Sequence, residues 1–138
     1  MDTEPLCDIH MQKILALSTI LFFGFILWVI YLANTGSSSI FFELVRAIPY
    51  GDKIGHIVLF GTLTLILTLS SRKKFYCLGS IHIYYGAIAV FLFALSEEVT
   101  QAFLPSRTFD FIDLAADLIG IGTANITVNL LQRREKYI

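Results

Sequence analysis

The apolar run from Ile14 to Leu32 restricts the fold of this chain more than any other stretch. It is 19 residues long and contains no charged side chain. At about 1.5 Å per residue, a helix of that length crosses the roughly 30 Å hydrocarbon core of a bilayer. The residues before it are partly acidic, whereas a secretory signal begins with a basic segment. The run therefore predicts a retained transmembrane helix.

Three further apolar segments follow, at 54–71, 81–103 and 111–131, and polar loops separate them. Together with the first span, at about 14–32, they predict an all-α integral membrane protein with four transmembrane helices. The hydrophobic share of 56% and the mean hydropathy of +0.73 agree with that class. No repeat or linker divides the sequence, so residues 1–138 are expected to form a single domain.

The distribution of lysine and arginine predicts the orientation of these spans. Seven of the ten basic residues fall in the N-terminal tail, the loop after the second span and the C-terminal tail. Basic loops stay in the cytoplasm, so both termini are expected there, in a multi-pass protein of the cell membrane. On the outer side, residues 40–48 place apolar side chains at i, i+3, i+4 and i+7. That spacing predicts a short amphipathic helix on the membrane surface.

Polar side chains enter the predicted spans near their outer ends. Charges beside such apolar sequence are costly unless they pair with one another or with a ligand. We therefore expect these side chains to converge in one site at the outer leaflet. The candidate site residues are Asp52, Lys53, His56, Glu98, Gln101, Arg107, Asp113 and Asp117.

The same residues form three motifs with defined spacing. The chain contains Asp52-Lys53-xx-His56-xxx-Phe60, then Glu98-xx-Gln101-x-Phe103-x-Pro105-x-Arg107, then Asp113-xxx-Asp117-xx-Gly120. This order resembles the VanZ-like membrane proteins, whose pattern is DKxxHxxxF, ExxQxFxPxR and DxxxNxxG. The chain departs from that pattern at Asp117, where the family has Asn, and the extra acid must be neutralised. The resemblance implies a small envelope protein with a role in low-level resistance to the glycopeptide teicoplanin, or in envelope lipid handling.

Two interpretations of the polar residues need no metal. In one, they form a buried network that holds the helices together, with Arg107 clamping Asp113 or Glu98 through its two-pronged guanidinium group. In the other, Arg107, Lys53 and His56 bind an anionic headgroup or a lipid-linked phosphate, since the rigid fork of arginine suits oxyanions.

Two more interpretations use the imidazole differently. His56 and the carboxylates of Glu98, Asp113 and Asp117 are a possible metal set for hydrolysis or group transfer. A proton or ion relay through His56 and Asp117 is the last alternative, although the inner halves of the spans carry almost no ionisable residue.

Binding is favoured over catalysis, because no serine lies in a turn that exposes a nucleophile and a single imidazole is few for zinc. No catalytic residue, metal or cofactor is therefore assigned. The alternative is a membrane enzyme that acts on a lipid-linked phosphate or glycan precursor of the envelope.

The expected partner is a membrane lipid or a lipid-linked anionic ligand. No basic face suited to nucleic acid is present. Ala116, Gly120 and Ala124 form a stripe of small residues, which allows close approach of a helix from the same chain or from a second copy in a homo-oligomer.

Overall fold

The computed structural model describes residues 4–37 and 39–135, and in that part the chain is mostly helical. Helices alternate with short loops, and one hairpin interrupts them. The elements are α1 (Glu4–Asn34), α2 (Ile40–Ala47), α3 (Gly51–Ser70), β1 (Phe75–Leu78), β2 (Ile81–Tyr84), α4 (Tyr85–Gln101) and α5 (Phe111–Glu135).

Three of these helices are long and apolar enough to cross a membrane: α3, α5 and the Asp8–Asn34 part of α1. Large apolar side chains of α1 stay exposed, as with Ile20 at 67% and Leu21 at 65%, which suits a lipid environment. The helix α4 has 17 residues, or about 25 Å, and is shorter than each of those three helices. The helical fold is thus confirmed, while the fourth span and the cytoplasmic termini stay predictions.

A β-hairpin occupies the start of the predicted third span and corrects the all-α expectation. Helix was expected from Ile81, but β1 and β2 pair in antiparallel register and α4 begins only at Tyr85. The turn between the strands contains Gly79 at φ +65°, a left-handed conformation that glycine adopts without steric cost. A short apolar run does not distinguish strand from helix, and here contacts from another element decide the outcome.

Those contacts come from two asparagines of α5. The side-chain amides of Asn125 and Asn129 each donate to the backbone oxygen of His82 at 3.0 Å. In return, the backbone N–H of Tyr84 donates to Asn125 Oδ1 at 3.0 Å. The backbone groups of β2 that do not pair with β1 therefore form hydrogen bonds with side chains of α5, and a helix is not needed to provide their partners.

The stripe of small residues on α5 packs against α3 of the same chain. A Cβ on Gly61 would lie 3.1 Å from the backbone oxygen of Gly120, so neither position has room for a side chain. Ala116 and Ala124, one turn to either side of Gly120, are buried. This close approach brings the first turns of α3 and α5 together at one end of the bundle.

The hydrophobic core lies beside that close pair, between α1, α3, α4 and α5. The rings of Phe60 and Phe93 are 5.9 Å apart, and the ring of His56 stacks on Phe60 at 5.9 Å. The core thus leads directly into the polar end of the bundle. Its buried members are Ile26, Phe60, Leu63, Ala87, Val90, Ala94 and Ile121.

The predicted amphipathic helix is present as α2. The Ser39 hydroxyl caps its start by accepting a hydrogen bond from the Phe42 N–H at 3.4 Å. Its position on a membrane surface stays a prediction.

Candidate functional site

The polar ends of α3, α4 and α5 meet, because α3 and α5 begin where α4 ends. All eight predicted site residues lie there, and two further acids join them. We call these ten residues the polar cluster: Asp52, Lys53, His56, Glu97, Glu98, Gln101, Arg107, Asp110, Asp113 and Asp117.

Lys53 is the cation around which the carboxylates of one half of the polar cluster are arranged. Its ammonium group lies 3.0 Å from Asp52 and 2.9 Å from Asp110, and it also donates to Asp113. The ammonium group lowers the pKa of the Asp110 carboxyl below its ordinary value, since the hydrogen bond favours the charged form. Lys53 therefore joins α3 to the start of α5 through two carboxylates, those of Asp110 and Asp113.

His56 and Asp117 form the centre of the other half. His56 Nδ1 lies 2.8 Å from Asp117 Oδ1, and His56 Nε2 is 3.9 Å from Asp113 Oδ2. Asp117 is fully buried. A carboxylate in that position fixes the plane and the tautomer of the imidazole.

A chain of hydrogen bonds connects α4 with the loop that leads to α5. Gln101 Nε2 donates to Glu97 Oε1 at 2.6 Å, and Gln101 Oε1 accepts from Arg107 Nε at 3.3 Å. Glu98 Oε2 accepts from the backbone N–H of Asp110 at 3.2 Å. Asp110 in turn caps α5 by accepting from the Ile112 N–H at 2.8 Å.

These contacts correct the expected role of Arg107. In the buried-network interpretation Arg107 would clamp Asp113 or Glu98, but Lys53 pairs with the aspartates and Arg107 contacts an amide. Among the described residues no carboxylate lies within ion-pair distance of Arg107. Its guanidinium group therefore keeps most of its donors free for a ligand.

Negative charge is in excess across the polar cluster. Six carboxylates face the two fixed cations Lys53 and Arg107, together with the single imidazole of His56. Two buried carboxylate oxygens, Asp117 Oδ2 and Glu97 Oε2, have no hydrogen-bond partner in the part of the chain that the structure describes. Unpaired buried acceptors are costly, so a proton or a bound cation is expected beside them.

One group of side chains has the spacing of metal ligands. A ring nitrogen of His56 and one oxygen each from Glu98 and Asp117 lie within 4.8 Å of one another. Asp113, the fourth member of the metal set considered from the sequence, is engaged by Lys53 instead.

A cavity of about 670 Å³ adjoins the polar cluster and has two chemically different sides. The lining from α1 and α2 is mostly apolar and includes Ile26, Val29 and Phe41, with Arg46 of α2 as its charged member. The lining from α3, α4, α5 and the residues between α4 and α5 carries most of the charged and polar groups. These are Asp52, Lys53, His56, Glu97, Gln101, Arg107, Asp110 and Asp113.

Comparison with known families identifies the family of this chain. The family model described as VanZ/LLP1 matches residues 7–132, which include the polar cluster and nearly all of the helices. The chain belongs to this family. No curated protein and no solved structure shows a significant match to it. The VanZ-like resemblance of the three motifs is thereby confirmed.

Two members of the polar cluster in this VanZ/LLP1 protein, Glu97 and Asp110, were not among the predicted site residues. Helical spacing offered a signal for Glu97, because it lies four residues before Gln101 and shares a face with it. Asp110 directly precedes α5, and an acid in that position commonly caps a helix. Both signals are local, but neither indicates which side chains they meet across the bundle.

Proposed function

We propose that this VanZ/LLP1 protein binds a membrane amphiphile of the cell envelope, a lipid or lipid-linked compound with an anionic headgroup. The observation that carries the proposal is the two-sided cavity, in which apolar side chains of α1 and α2 face the polar cluster. An amphiphile needs such a site, because its hydrocarbon part and its headgroup favour opposite surroundings.

The headgroup contact is assigned to Arg107. Lys53 is already surrounded by three carboxylates. Among the described residues, Arg107 donates one side-chain hydrogen bond, from Nε to Gln101, and it lines the same cavity. A free guanidinium group binds phosphate or carboxylate through two parallel hydrogen bonds. The hydrocarbon part then lies against Val29 and Phe41.

Binding of this kind supports a role at the envelope. The family resemblance implies low-level resistance to teicoplanin-type glycopeptides, and we infer that the resistance arises from handling of an envelope lipid. The three helices that are long and apolar enough to cross a membrane support a site in or beside a membrane.

The test is to fill the apolar side of the cavity. Val29→Trp introduces a large side chain there, while Ile20→Trp adds the same group to an exposed position of the same helix. Native mass spectrometry of protein purified in mild detergent should show bound lipid in the wild type and in Ile20→Trp, and a loss in Val29→Trp. Teicoplanin tolerance of cells that express each variant should follow the same order. Equal lipid retention by both tryptophan variants would contradict the proposal.

A second candidate function is catalysis on a lipid-linked phosphate or glycan precursor. The observation in its favour is the His56–Asp117 pair, because an imidazole held by a buried carboxylate at 2.8 Å is the arrangement of a general base. His56 also lines the cavity. Release of phosphate or of a headgroup from a lipid-linked precursor by wild-type protein, abolished in His56→Gln, is the result expected of an enzyme.

A further inference from the structure

The carboxylates of the polar cluster carry more negative charge than Lys53 and Arg107 neutralise. The six carboxylates outnumber the fixed cations three to one, and the expected headgroup adds more negative charge. Like charges at such short range repel strongly in a site that excludes water. Either a proton on a carboxyl group or a cation close to the carboxylates must reduce this repulsion.

The place for that charge is at Asp117. This residue is fully buried, and its Oδ2 has no hydrogen-bond partner among the described residues. Glu98, also fully buried, lies beside it, and His56 completes the group. Three elements, α3, α4 and α5, thus each supply one donor atom to a volume less than 4.8 Å across.

We infer that His56, Glu98 and Asp117 bind a divalent metal ion. One imidazole nitrogen and two carboxylate oxygens suit a cation of borderline hardness, such as Mn²⁺ or Zn²⁺. A bound ion would replace the hydrogen bond between His56 Nδ1 and Asp117 Oδ1, whose 2.8 Å is close to the separation of adjacent ligands that each lie about 2.1 Å from one ion. The same ion would neutralise the carboxylate whose Oδ2 has no hydrogen-bond partner among the described residues.

Three protein ligands leave coordination positions for another oxygen. The role given to the ion here rests on the proposed function: an oxygen of the anionic headgroup occupies one of these positions, while Arg107 holds another oxygen of the same group. The substrate or ligand class is then a phosphate-bearing lipid, because phosphate offers several oxygens to a metal ion and a guanidinium group together.

Asp117 is also where the chain departs from the family pattern, which has Asn. An amide oxygen is a weaker, uncharged ligand, so Asp117 strengthens the site for a cation. The Asp117→Asn variant preserves shape and restores the residue of the family pattern, and it is therefore expected to fold.

The experiment measures binding of Mn²⁺ to chelator-treated protein in mild detergent, followed by the loss of the free-ion signal in electron paramagnetic resonance. Wild type should bind one ion, and Glu98→Gln and Asp117→Asn should bind it at least about tenfold more weakly. The control Glu43→Gln removes a carboxylate of α2 that lies outside the polar cluster, and it should bind as wild type does.

A second readout does not depend on the folding of any ligand variant. In the wild-type protein, electron spin echo modulation from imidazole nitrogen should accompany bound Mn²⁺, because His56 is a direct ligand. Failure of the wild type to bind Mn²⁺ or Zn²⁺, absence of nitrogen modulation, or unchanged affinity in folded Asp117→Asn would overturn the inference.

The result is separable from the proposed function. Val29→Trp blocks the apolar side of the cavity without touching the three ligands, so it should bind Mn²⁺ normally while it loses lipid. If lipid is retained by a protein that binds no metal, the inference is wrong and the proposed function stands. If metal binds but Val29→Trp keeps its lipid, the proposed function is wrong and the metal site stands.

Discussion

Lys53 and Arg107 are both cations of the polar cluster, but their surroundings give them different tasks. The ammonium group of Lys53 is enclosed by Asp52, Asp110 and Asp113, and its side chain is only 20% exposed. Arg107 contacts the uncharged amide of Gln101. Removal of Lys53 takes the cation away from three carboxylates. Removal of Arg107 takes an ion-pair partner from no carboxylate among the described residues.

We therefore expect Lys53→Met to destabilise the protein by about 1 to 3 kcal/mol, because Asp113 is largely buried and loses its cation while Asp52 and Asp110 remain partly solvated. Thermal unfolding in detergent, or the folded fraction in size-exclusion chromatography, measures the effect. Lys73→Met is the matched control, because Lys73 pairs at 3.1 Å with the exposed Glu135. Such surface pairs contribute about 0 to 1 kcal/mol. Equal losses in the two variants would show that Lys53 has no special structural role.

For Arg107→Gln we expect nearly normal folded yield but reduced lipid retention in native mass spectrometry. The glutamine amide still donates to Gln101, while the free donors that would hold a headgroup disappear. A large drop in folded yield would instead indicate that Arg107 stabilises the bundle.

The pairing of α3 with α5 depends on the absence of side chains where the two helices cross. We expect Gly120→Ala to lower the melting temperature by several degrees, because the new Cβ would lie 3.1 Å from Gly61 N and would collide with the backbone oxygen of Ile57. Gly122→Ala, on the same helix, meets no atom within 4 Å. This control should be neutral or slightly stabilising, since alanine favours helix over glycine by about 1 kcal/mol. Equal melting temperatures for the two variants would show that the close approach of α3 and α5 does not contribute to stability.

The hairpin depends on α5 through side-chain amides. In the Asn125→Ala variant, the Tyr84 N–H loses its acceptor and the His82 oxygen loses one of two donors. We expect faster hydrogen exchange at the Tyr84 amide, measured by mass spectrometry of peptides that cover β2. Thr127→Ala is the control, because the Thr127 hydroxyl is exposed and bonds only within α5. Unchanged exchange in Asn125→Ala would mean that strand pairing alone holds β2.

Whether α4 crosses the membrane decides how the protein as a whole is oriented. If it does, the hairpin and the loop after α4 lie on opposite sides, with the hairpin in the cytoplasm as the basic residues predict. The native thiol of Cys77 is exposed on β1, and Phe103 is 82% exposed after α4. Both are suitable labelling positions.

In a Cys7→Ser background, we expect Cys77 to resist a membrane-impermeant thiol reagent applied to intact cells. Phe103→Cys, in a background without Cys7 and Cys77, should be labelled. Labelling at both positions would place the hairpin and the polar cluster on one side, and the four-span arrangement would then be wrong.

Local properties of the sequence were enough to predict most of the helices and eight of the ten residues of the polar cluster. The uncharged length of the first span and the small-residue stripe of α5 are readable from spacing alone, because helix geometry repeats every 3.6 residues. Asp52, His56 and Asp117 were selected because polar groups beside apolar spans need partners.

The tertiary structure decided which partners those residues have. The sequence left open whether Arg107 clamps the acids or binds an anion, and the approach of α3 to α5 at Gly61 and Gly120 brings Lys53 to the aspartates instead. It also decided that Ile81 begins a strand, since the groups that satisfy β2 come from Asn125 and Asn129, more than 40 residues later. Charge pairing and backbone satisfaction depend on distances through space, and spacing along the chain does not contain those distances.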